Sequence, residues 1–545
     1  GGSVRTGEGA LPLMLMLSLS SLRRVLVKAS RLSGPTPGPQ RPTQIAVRGA
    51  RQMTSASNYT FANPKLAPGA LAEFYNSDAA AAEQFAVLDP ASRAELARLN
   101  RHGEEATKAA VEVAHKAFET QWNQSHVTAQ RRYDTLVRWE KLIRSNVSDL
   151  AALVTLENGK PTSEASVEVT GGADSVAWFA EEARRIHGDV LPGSKKRQRV
   201  MVLKQPVGVV AAITPWNFPF SMITRKIGPA LAAGCTVVLK PSEDTPLSAI
   251  ALAYLAQEAG FPKGCIQLVC GDAPAIGTAL MGSKEVRKIG FTGSTGVGKL
   301  LMAQAADSVK RVSLELGGNA PFIVFEDADL EKAASALLGS GLRNAGQTCI
   351  CADKVLVHDK VYDRFADLLQ PRMERLRLGH GMDKATTHGP LINERAIQKV
   401  EAHVKDAVER GAELRLGGKR ANPDDMNGFF YEPTLLTNVT LEMDCLNQEN
   451  FGPVLSLYRF QDDDEAIRVA NDSEYGLAAY FFTKDMARSW MVSERLEYGM
   501  VGCNDVAVTS VVAPFGGWKQ SGLGSEHSKY GIDEFLQKKA VFVSL

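Results

Sequence analysis

The sequence predicts an α/β protein that contains a doubly wound parallel sheet and a second α/β domain. Two short, continuously apolar runs, 207–213 and 236–239, are typical of strands buried on both faces. Helical stretches alternate with these runs and stop at Gly234 and Gly260, as helices that end in glycine do. With 545 residues, the chain is also too long for a single core. Strands that alternate with helices form parallel sheets whose carboxyl ends face a ligand crevice.

The order of the elements follows from changes in hydrophobic period. Apolar residues recur at helical spacing over 128–157, which predicts one long amphipathic helix packed against the core. A second α/β series begins at Phe322, after Gly317 and Gly318, and we expect a domain boundary there. The acidic run 462–465 is interpreted as the solvated start of a helix. Strands of the first series are predicted near residues 207–213, 236–239, 266–269, 289–291 and 312–314.

Composition and charge exclude several classes of protein. The chain is 44% hydrophobic and 23% charged, as in a folded protein that is neither disordered nor embedded in a bilayer. A net charge of +1 provides no polycationic field for nucleic acid. Apart from the N-terminal segment, no apolar run approaches the roughly 20 residues of a membrane span. Seven cysteines, an odd number, make no disulfide framework and suit a reducing compartment.

The N-terminal segment 1–57 differs from the remainder in charge. It carries eight basic residues and one acidic residue, a net charge of +7 that leaves −6 for the other residues. Arg-rich, Ser-containing, acid-poor composition is typical of a mitochondrial or plastid transit peptide. A secretory signal is the alternative, since 11–19 is apolar, but its basic residues mostly follow the apolar run. We therefore expect import into an organelle and removal of the segment.

A glycine-rich stretch, 293–300, is similar in sequence pattern to a phosphate-binding P-loop. Its glycines and Lys299 have the required spacing, but Leu300 stands where a Ser or Thr must hold magnesium. A nucleotide-binding P-loop protein is therefore a remote alternative. The turn retains a helix N-terminus whose backbone N–H groups can accept a pyrophosphate.

Cys349 is the strongest candidate nucleophile in the sequence. It lies in a Gly-containing loop after a helical stretch, and a nearby cation such as Arg343 is needed to favour its thiolate. The nearest histidine in sequence, His358, falls in a predicted strand, and no Cys or His spacing is that of a zinc site, so no metal is expected. The remaining cysteines outside this loop are interpreted as buried, inert thiols: Cys235, Cys265, Cys270, Cys445 and Cys503.

Seven motifs in a fixed order resemble those of the aldehyde dehydrogenase superfamily, and the resemblance extends from about residue 60 to 545. They are 215–219 (PWNFP), 240–243 (KPSE), 291–294 (FTGS), 315–318 (ELGG), 346–349 (GQTC), 449–453 (ENFGP) and 516–522 (GGWKQSG). The resemblance implies a Rossmann-type cofactor domain, an α/β catalytic domain and a small β oligomerisation element. Within the superfamily, 222–226 (MITRK), Arg343 and 528–534 (SKYGIDE) are most similar to the mitochondrial succinate-semialdehyde dehydrogenases.

This resemblance implies roles for three catalytic residues. Cys349 would attack the aldehyde carbon, and the Asn217 amide together with the Cys349 backbone N–H would stabilise the oxyanion. Glu315 would deprotonate the water that hydrolyses the resulting thioester. For Glu315 the alternative is an ordinary surface carboxylate.

The resemblance also implies a nicotinamide cofactor. The matching positions are Trp216, Lys240, Glu243, Ser294, Glu449 and Phe451. Glu243 favours NAD over NADP, because a carboxylate accepts hydrogen bonds from a free 2′-hydroxyl and repels a 2′-phosphate.

Four residues are expected to select the substrate. Arg225 and Arg343 match positions where succinate-semialdehyde dehydrogenases bind the distal carboxylate, although either could instead be a structural ion-pair partner. The family's serine ligand is replaced by Thr509, with Ser510 beside it. The expected reaction is NAD-dependent oxidation of succinic semialdehyde to succinate, and glutaric semialdehyde is the alternative substrate.

The same resemblance implies a redox switch, an assembly and a domain division. Cys351 could form a disulfide with Cys349, although a bond across one intervening residue is sterically awkward, and a space-filling role is the alternative. A homotetramer in the mitochondrial matrix is expected. The expected segments are a leader and linker (1–57), a cofactor domain (58–185 and 206–317), an oligomerisation hairpin (186–205), a catalytic domain (318–520) and a C-terminal return with an oligomerisation strand (521–545).

Overall fold

The computed structural model describes residues 59–77 and 83–545, so the predicted leader and linker lie outside the described residues. The strands are β1 (Gln84–Leu88), β2 (Glu95–Asn100), β3 (Asp189–Pro192), β4 (Gln198–Pro206), β5 (Val209–Ile213), β6 (Thr236–Lys240), β7 (Ile266–Leu268), β8 (Val286–Thr292), β9 (Arg311–Glu315), β10 (Ala320–Val324), β11 (Ala352–His358), β12 (Glu413–Leu416), β13 (Arg420–Ala421), β14 (Phe430–Tyr431), β15 (Thr434–Thr437), β16 (Val454–Phe460), β17 (Ala478–Phe482), β18 (Met500–Cys503), β19 (Gly522–Leu523) and β20 (Leu536–Ser544).

The helices alternate with these strands over most of the described chain. They are α1 (Pro68–Asn76), α2 (Glu104–Ala117), α3 (Ala129–Ser145), α4 (Val147–Asn158), α5 (Thr162–Ala183), α6 (Ser221–Ala233), α7 (Leu247–Ala259), α8 (Ala273–Gly282), α9 (Thr295–Ala306), α10 (Leu330–Gly341), α11 (Tyr362–Met373), α12 (Glu394–Glu409), α13 (Asp444–Asn447), α14 (Asp463–Asn471), α15 (Met486–Arg495) and α16 (Ser528–Gly531).

A six-stranded sheet in the order β19-β9-β8-β5-β6-β7 contains the five strands predicted for the first series. These five pair in parallel, and only β19 is antiparallel to its neighbour. The chain runs outward through β5, β6 and β7, then returns to the other side of β5 with β8 and β9. The predicted α/β class with a doubly wound, Rossmann-like sheet is therefore confirmed, and such sheets bind ligands where the strand order reverses.

A second, seven-stranded sheet follows in the order β12-β15-β16-β11-β10-β17-β18. All its neighbours pair in parallel except β12 and β15. Strands β10 and β11 are buried along their whole length, as is usual in parallel sheets covered on both faces, although β11 includes the buried polar residues Asp353, Lys354 and His358. This series starts at Ala320, two residues before the predicted Phe322.

A third sheet is antiparallel, in the order β20-β4-β3, and it joins the segment 189–206 to the C-terminal strand. Nine residue pairs connect β4 to β20, from Pro206 and Leu536 to Gln198 and Ser544. Every residue of β3 is exposed. The hairpin and the C-terminal strand that the sequence analysis placed together are thus paired in the fold.

The single helix predicted over 128–157 is wrong, because the chain breaks at Asn146. Asn146 has φ −117° and ψ 17°, and its side-chain amide donates to the Leu142 carbonyl at 2.8 Å. Asparagine side chains compete with the helical backbone in this way and end helices. The second helix, α4, is buried on nearly all sides, so its residues show no exposed face.

Two helix ends and one helix start were located correctly from the sequence. Helices α6 and α7 end at Gly234 (φ +95°) and Gly260 (φ +91°), a conformation that glycine adopts without a side-chain clash. Asp462 accepts the Glu465 N–H at 2.8 Å and caps α14, which begins at Asp463. Within the described residues, no helix is both long enough and apolar enough to span a bilayer.

Candidate active site

The predicted site residues come from opposite ends of the two large sheets. Asn217 follows the carboxyl end of β5, and Glu315 is the last residue of β9. Cys349 precedes β11, and Glu449 precedes the neighbouring strand β16. The Gly318 N–H, between β9 and β10, donates to Glu449 Oε1 at 3.0 Å. The carboxyl ends of the first sheet therefore meet the amino ends of the second at one crevice.

Close backbone packing positions the loop that carries Cys349. The preceding residues Asn344 and Ala345 have left-handed φ angles of +50° and +54°. A Cβ atom at Gly346 (φ +77°) would lie 2.0 Å from the Gly452 carbonyl oxygen, and one at Gly318 would lie 2.2 Å from that of Cys349. Because only glycine fits these two positions, the Cys349 backbone is held directly against both neighbouring loops.

Asn217 is fixed by hydrogen bonds at both its backbone and its side chain. Its carbonyl accepts from Lys160 Nζ at 2.8 Å and from the Asn344 amide at 2.9 Å, and its own amide Nδ2 donates to the Gln347 carbonyl at 3.0 Å. Lys160 is fully buried and pairs with Glu168 at 2.5 Å. The sequence analysis assigned no role to Lys160 or Glu168, since nothing local shows that they reach Asn217.

The electrostatic surroundings of Cys349 disfavour its thiolate. Burial raises the pKa of Cys349 to about 12, and the carboxylates of Glu449 and Glu315 act in the same direction. Arg225 is the cation that opposes them and lowers the pKa. The sequence analysis expected Arg343 to favour the thiolate, but Arg225 is the arginine whose charge lowers the pKa of Cys349.

Glu315 is a buried carboxyl, so the alternative of an ordinary surface carboxylate is wrong. Its Oε2 atom is buried and has no hydrogen-bond partner among the described residues. Burial raises the pKa of Glu315 well above its ordinary value, and the charge of Glu526 raises it further. Lys226 and Arg225 lower it. Buried carboxyls with a raised pKa are typical of groups that exchange protons in catalysis.

Glu526 and Lys226 are two further charged residues at the site. Lys226 Nζ lies 2.5 Å from Glu526 Oε1, and Arg225 Nη1 lies 4.0 Å from Glu526 Oε2. All three side chains are buried. Lys226 was part of a recognised motif but was assigned no role, and Glu526 has no local sequence signal, because about 300 residues separate it from its partners.

The four residues expected to select the substrate are not equally placed. Arg225 is buried, and its guanidinium lies over the Phe515 ring at 4.6 Å. Arg343 is half-buried, 5.1 Å from the Phe218 ring. Thr509 is half-buried and Ser510 is exposed. The segment after Ser510 reaches the site through the Ser528 N–H, which donates to the Val511 carbonyl at 2.8 Å.

Four of the expected cofactor residues lie at the carboxyl end of the first sheet: Trp216, Lys240, Glu243 and Ser294. Lys240 Nζ pairs with Glu243 Oε1 at 2.5 Å. Ser294 precedes α9 without a capping hydrogen bond from its side chain, and a Cβ atom at Gly296 would meet no atom within 4 Å. The first backbone N–H groups of this helix are thus open to an anion. This donor set fits the pyrophosphate of a dinucleotide.

Two aromatic rings and one carboxylate complete the cofactor side. Trp216 and Phe451 meet edge to face with their centroids 5.4 Å apart. Phe451 has φ +54°, and Glu449 before it is held by the Gly318 N–H. Trp216 and Ser294 follow β5 and β8, the two strands between which the strand order reverses.

All seven cysteines are free thiols. Cys351 is buried, with its Sγ 4.0 Å from the Arg343 carbonyl oxygen. Four of the five thiols interpreted as inert are buried, and burial raises their pKa values; Cys503 is half-buried, which corrects that expectation. Within the described ranges, no group of three or more His, Cys, Asp or Glu side chains is arranged to hold a metal ion.

The doubly wound sheet and the crevice that holds Cys349 and Glu315 agree with what the motif resemblance implies, an aldehyde-oxidising class of enzyme. Residues 76–541 match the model of the aldehyde dehydrogenase family, and the chain belongs to that family. It is an oxidoreductase of the α/β, Rossmann-containing type that the motif order predicted.

Two relatives and one solved structure define its neighbourhood. The chain is 53% identical to a mitochondrial succinate-semialdehyde dehydrogenase of Oryza sativa subsp. japonica over 84% of this chain and 85% of the relative. It is 48% identical to a glutarate-semialdehyde dehydrogenase of Pseudomonas putida over 86% and 96%. A crystal structure of an NADP-dependent enzyme of E. coli superposes with a TM-score of 0.83 at 50% identity, covering 85% and 95%.

Proposed function

We propose that this protein oxidises succinic semialdehyde to succinate with NAD, using Cys349 as the nucleophile. The observation that carries the substrate class is Arg225, a buried guanidinium whose Nη1 atom has no hydrogen-bond partner among the described residues. The ion pair of Arg225 Nη1 with Glu526 Oε2, at 4.0 Å, is too long for a hydrogen bond, so this buried donor can still bind the distal carboxylate of a semialdehyde. The names of the relatives above support this class of substrate.

The first step is attack of the Cys349 sulfur on the aldehyde carbon. The thiol passes its proton to water, a loss that the charge of Arg225 favours, and the carbonyl oxygen becomes an oxyanion as the sulfur–carbon bond forms. One N–H of the Asn217 amide is committed to the Gln347 carbonyl, so its second N–H is the donor that we assign to this oxyanion. When bound, the nicotinamide supplies the acceptor for the hydride that leaves the carbon, and Cys349 then carries a thioester.

The second step is hydrolysis of that thioester. Glu315, in its ionised form, takes a proton from water, whose oxygen attacks the acyl carbon and releases the acid and the Cys349 sulfur. The unpartnered Oε2 of Glu315 is the atom that we assign to this water. Because Glu526 raises the pKa of Glu315 and Lys226 lowers it, this ion pair sets the pH at which hydrolysis becomes efficient.

We expect Glu526→Gln to move the acid limb of thioester hydrolysis to lower pH. Removing the negative charge lowers the pKa of Glu315, so the carboxylate that accepts the proton is present at lower pH. The measurement is turnover against pH with saturating substrate and cofactor. Glu534→Gln removes a negative charge that has a smaller effect on the pKa of Glu315, so it should shift the acid limb of the pH profile less. A shift to higher pH would contradict this account of Glu315.

The choice of NAD depends on Glu243. This carboxylate is paired with Lys240, and it would repel the additional phosphate of NADP. We expect a higher kcat/KM with NAD than with NADP. Glu243→Gln should lower the ratio of kcat/KM with NAD to kcat/KM with NADP. A parent enzyme that prefers NADP would overturn this part of the proposal.

A panel of aldehydes with both cofactors tests the substrate. Succinic semialdehyde should give the highest kcat/KM, glutaric semialdehyde is the second candidate because a glutarate-semialdehyde relative is similar over most of its length, and propanal serves as the uncharged control. If propanal is oxidised as efficiently as either acid, the carboxylate site does not exist. A P-loop function is disfavoured, because Leu300 has no oxygen with which to ligate magnesium.

Cys351 is proposed as the partner of Cys349 in a reversible oxidation. Loss of two electrons from the pair to a peroxide would form the disulfide, with water as the reduced product, and the loop must rearrange to allow it. Peroxide should inactivate the parent reversibly by thiol and inactivate Cys351→Ala irreversibly. Equal rates and equal recovery for both proteins would disprove the switch.

Assembly and location complete the proposal. The exposed β3 edge and the β4–β20 pairing support a role for the third sheet in a homotetramer, because a lone antiparallel sheet of this size gains stability from partners. Light scattering of the full chain tests this. The basic segment 1–57 and the mitochondrial relatives support the matrix as the location, which organelle import of the fused segment tests.

A further inference from the structure

His527 combines backbone strain with burial at the substrate end of the site. It has φ +58° and ψ −171°, a region that is accessible essentially only to glycine, and its side chain is 3% exposed. A residue is held there only at an energetic cost, and such strain persists where the surroundings impose it, often at functional sites. The question is what the imidazole does at this position.

Hydrogen bonds on both sides of His527 impose this conformation. Before it, Glu526 and Phe515 exchange two backbone hydrogen bonds of 2.7 and 2.9 Å. After it, the Ser528 N–H donates to the Val511 carbonyl at 2.8 Å, and the His527 carbonyl accepts from the Gly531 N–H at 2.8 Å. The strain is therefore built into the fold and is not relieved by local movement.

The segment that carries His527 packs against residues that we assign to the substrate carboxylate. Phe515, which pairs with Glu526, carries the Arg225 guanidinium on its ring at 4.6 Å. Burial lowers the pKa of His527 well below its usual value, Arg225 lowers it further, and the Ser510 backbone opposes them. His527 is thus a neutral ring between Arg225 and the Ser510 segment, with one N–H donor.

Neither ring nitrogen of His527 has a hydrogen-bond partner among the described residues, and the neighbouring Arg225 Nη1 lacks one as well. Buried polar atoms are rarely left unsatisfied, and each such atom needs an explanation. An ionised carboxylate has only acceptors, so it can take a hydrogen bond from both of these donors at once.

We propose that His527 is a specificity-determining residue that donates to the distal carboxylate beside Arg225 and closes that end of the site, favouring a four-carbon over a five-carbon semialdehyde. This inference rests on the proposed function. On this assignment the strained backbone fixes the ring, and removal of the ring should make room for one more methylene of the substrate.

His527→Gly tests the inference, since it removes the ring and relieves the strain. The KM for succinic semialdehyde should rise about tenfold with kcat within twofold of the parent, the magnitude of one hydrogen bond to a charged group. The ratio of kcat/KM for glutaric over succinic semialdehyde should also rise about tenfold, and propanal oxidation should stay unchanged. His527→Asn keeps a donor, so its KM for succinic semialdehyde should rise less.

Val309→Gly is the matched control for strain. Val309 also has positive φ (+50°) and is 88% exposed, so this substitution relieves strain without touching the site, and the substrate ratio should not change. The inference is overturned if His527→Gly leaves the ratio within twofold of the parent, or if propanal is affected equally. A parent that oxidises neither semialdehyde would instead refute the proposed function, so the two failures are distinguishable.

Discussion

Glu315→Gln is expected to lower steady-state turnover about 10⁴-fold while leaving the first turnover intact, the upper range for loss of a general base. The amide cannot accept the proton of water, so the enzyme stops at the thioester. Rapid mixing with NAD and succinic semialdehyde should show a burst of one equivalent of reduced cofactor per Cys349, followed by a nearly flat phase.

Glu157→Gln is the control for this substitution. Glu157 is another fully buried carboxyl, with its pKa raised by burial to about 8, but it lies on α4 and binds the first residues of α7 outside the crevice. In this variant, formation of reduced cofactor should continue at a steady rate, and no flat phase should follow the first turnover. Steady-state turnover of Glu315→Gln within tenfold of the parent would mean that another group hydrolyses the thioester.

The second large effect is expected for Arg225→Met, which should lower kcat/KM for succinic semialdehyde about a thousandfold. Truncating one member of a buried charge pair costs about 2–5 kcal/mol, and here the distal carboxylate loses its buried cation. Propanal, which has no distal charge, should lose less than tenfold. Steady-state kinetics with both aldehydes give the ratio directly, and equal losses for the two would contradict the carboxylate assignment.

Arg343→Met is the matched control, because this arginine is half-buried and solvent screens its charge more than that of Arg225. The loss of kcat/KM for succinic semialdehyde should be smaller in Arg343→Met than in Arg225→Met.

Alkylation of Cys349 gives an independent measurement of these charges. Arg225→Met removes a charge that lowers the pKa of Cys349, and Glu315→Gln removes one that raises it. At a given pH, the first variant should be alkylated more slowly than the parent and the second faster.

The sequence predicted the elements whose signals are local. The apolar strands β5 and β6, the glycine ends of α6 and α7, and the acidic start of α14 depend on neighbouring residues only. The predicted single helix over 128–157 failed because a side chain bonded back to the turn before it, at Asn146. The spacing of hydrophobic residues gives no information about such a side-chain hydrogen bond.

The site was predicted in part, for the same physical reason. Motif spacing pointed to Cys349, Asn217 and Glu315, but the ionisation of these groups depends on charges that arrive from elsewhere. Glu526 pairs with Lys226, although 300 residues of sequence separate them. Lys160 lies between α4 and α5 and donates to the Asn217 carbonyl. Their effects follow from distance and burial, which spacing along the chain does not contain.

The sequence by itself therefore determined the fold class and the family, since residue type, period and motif order are written along the chain. Only the tertiary structure decided which arginine lowers the pKa of Cys349, which carboxyl is buried, and why a histidine is held where glycine is usual. Those properties are set by desolvation and by contacts between distant segments, which exist only once the two sheets meet at the crevice.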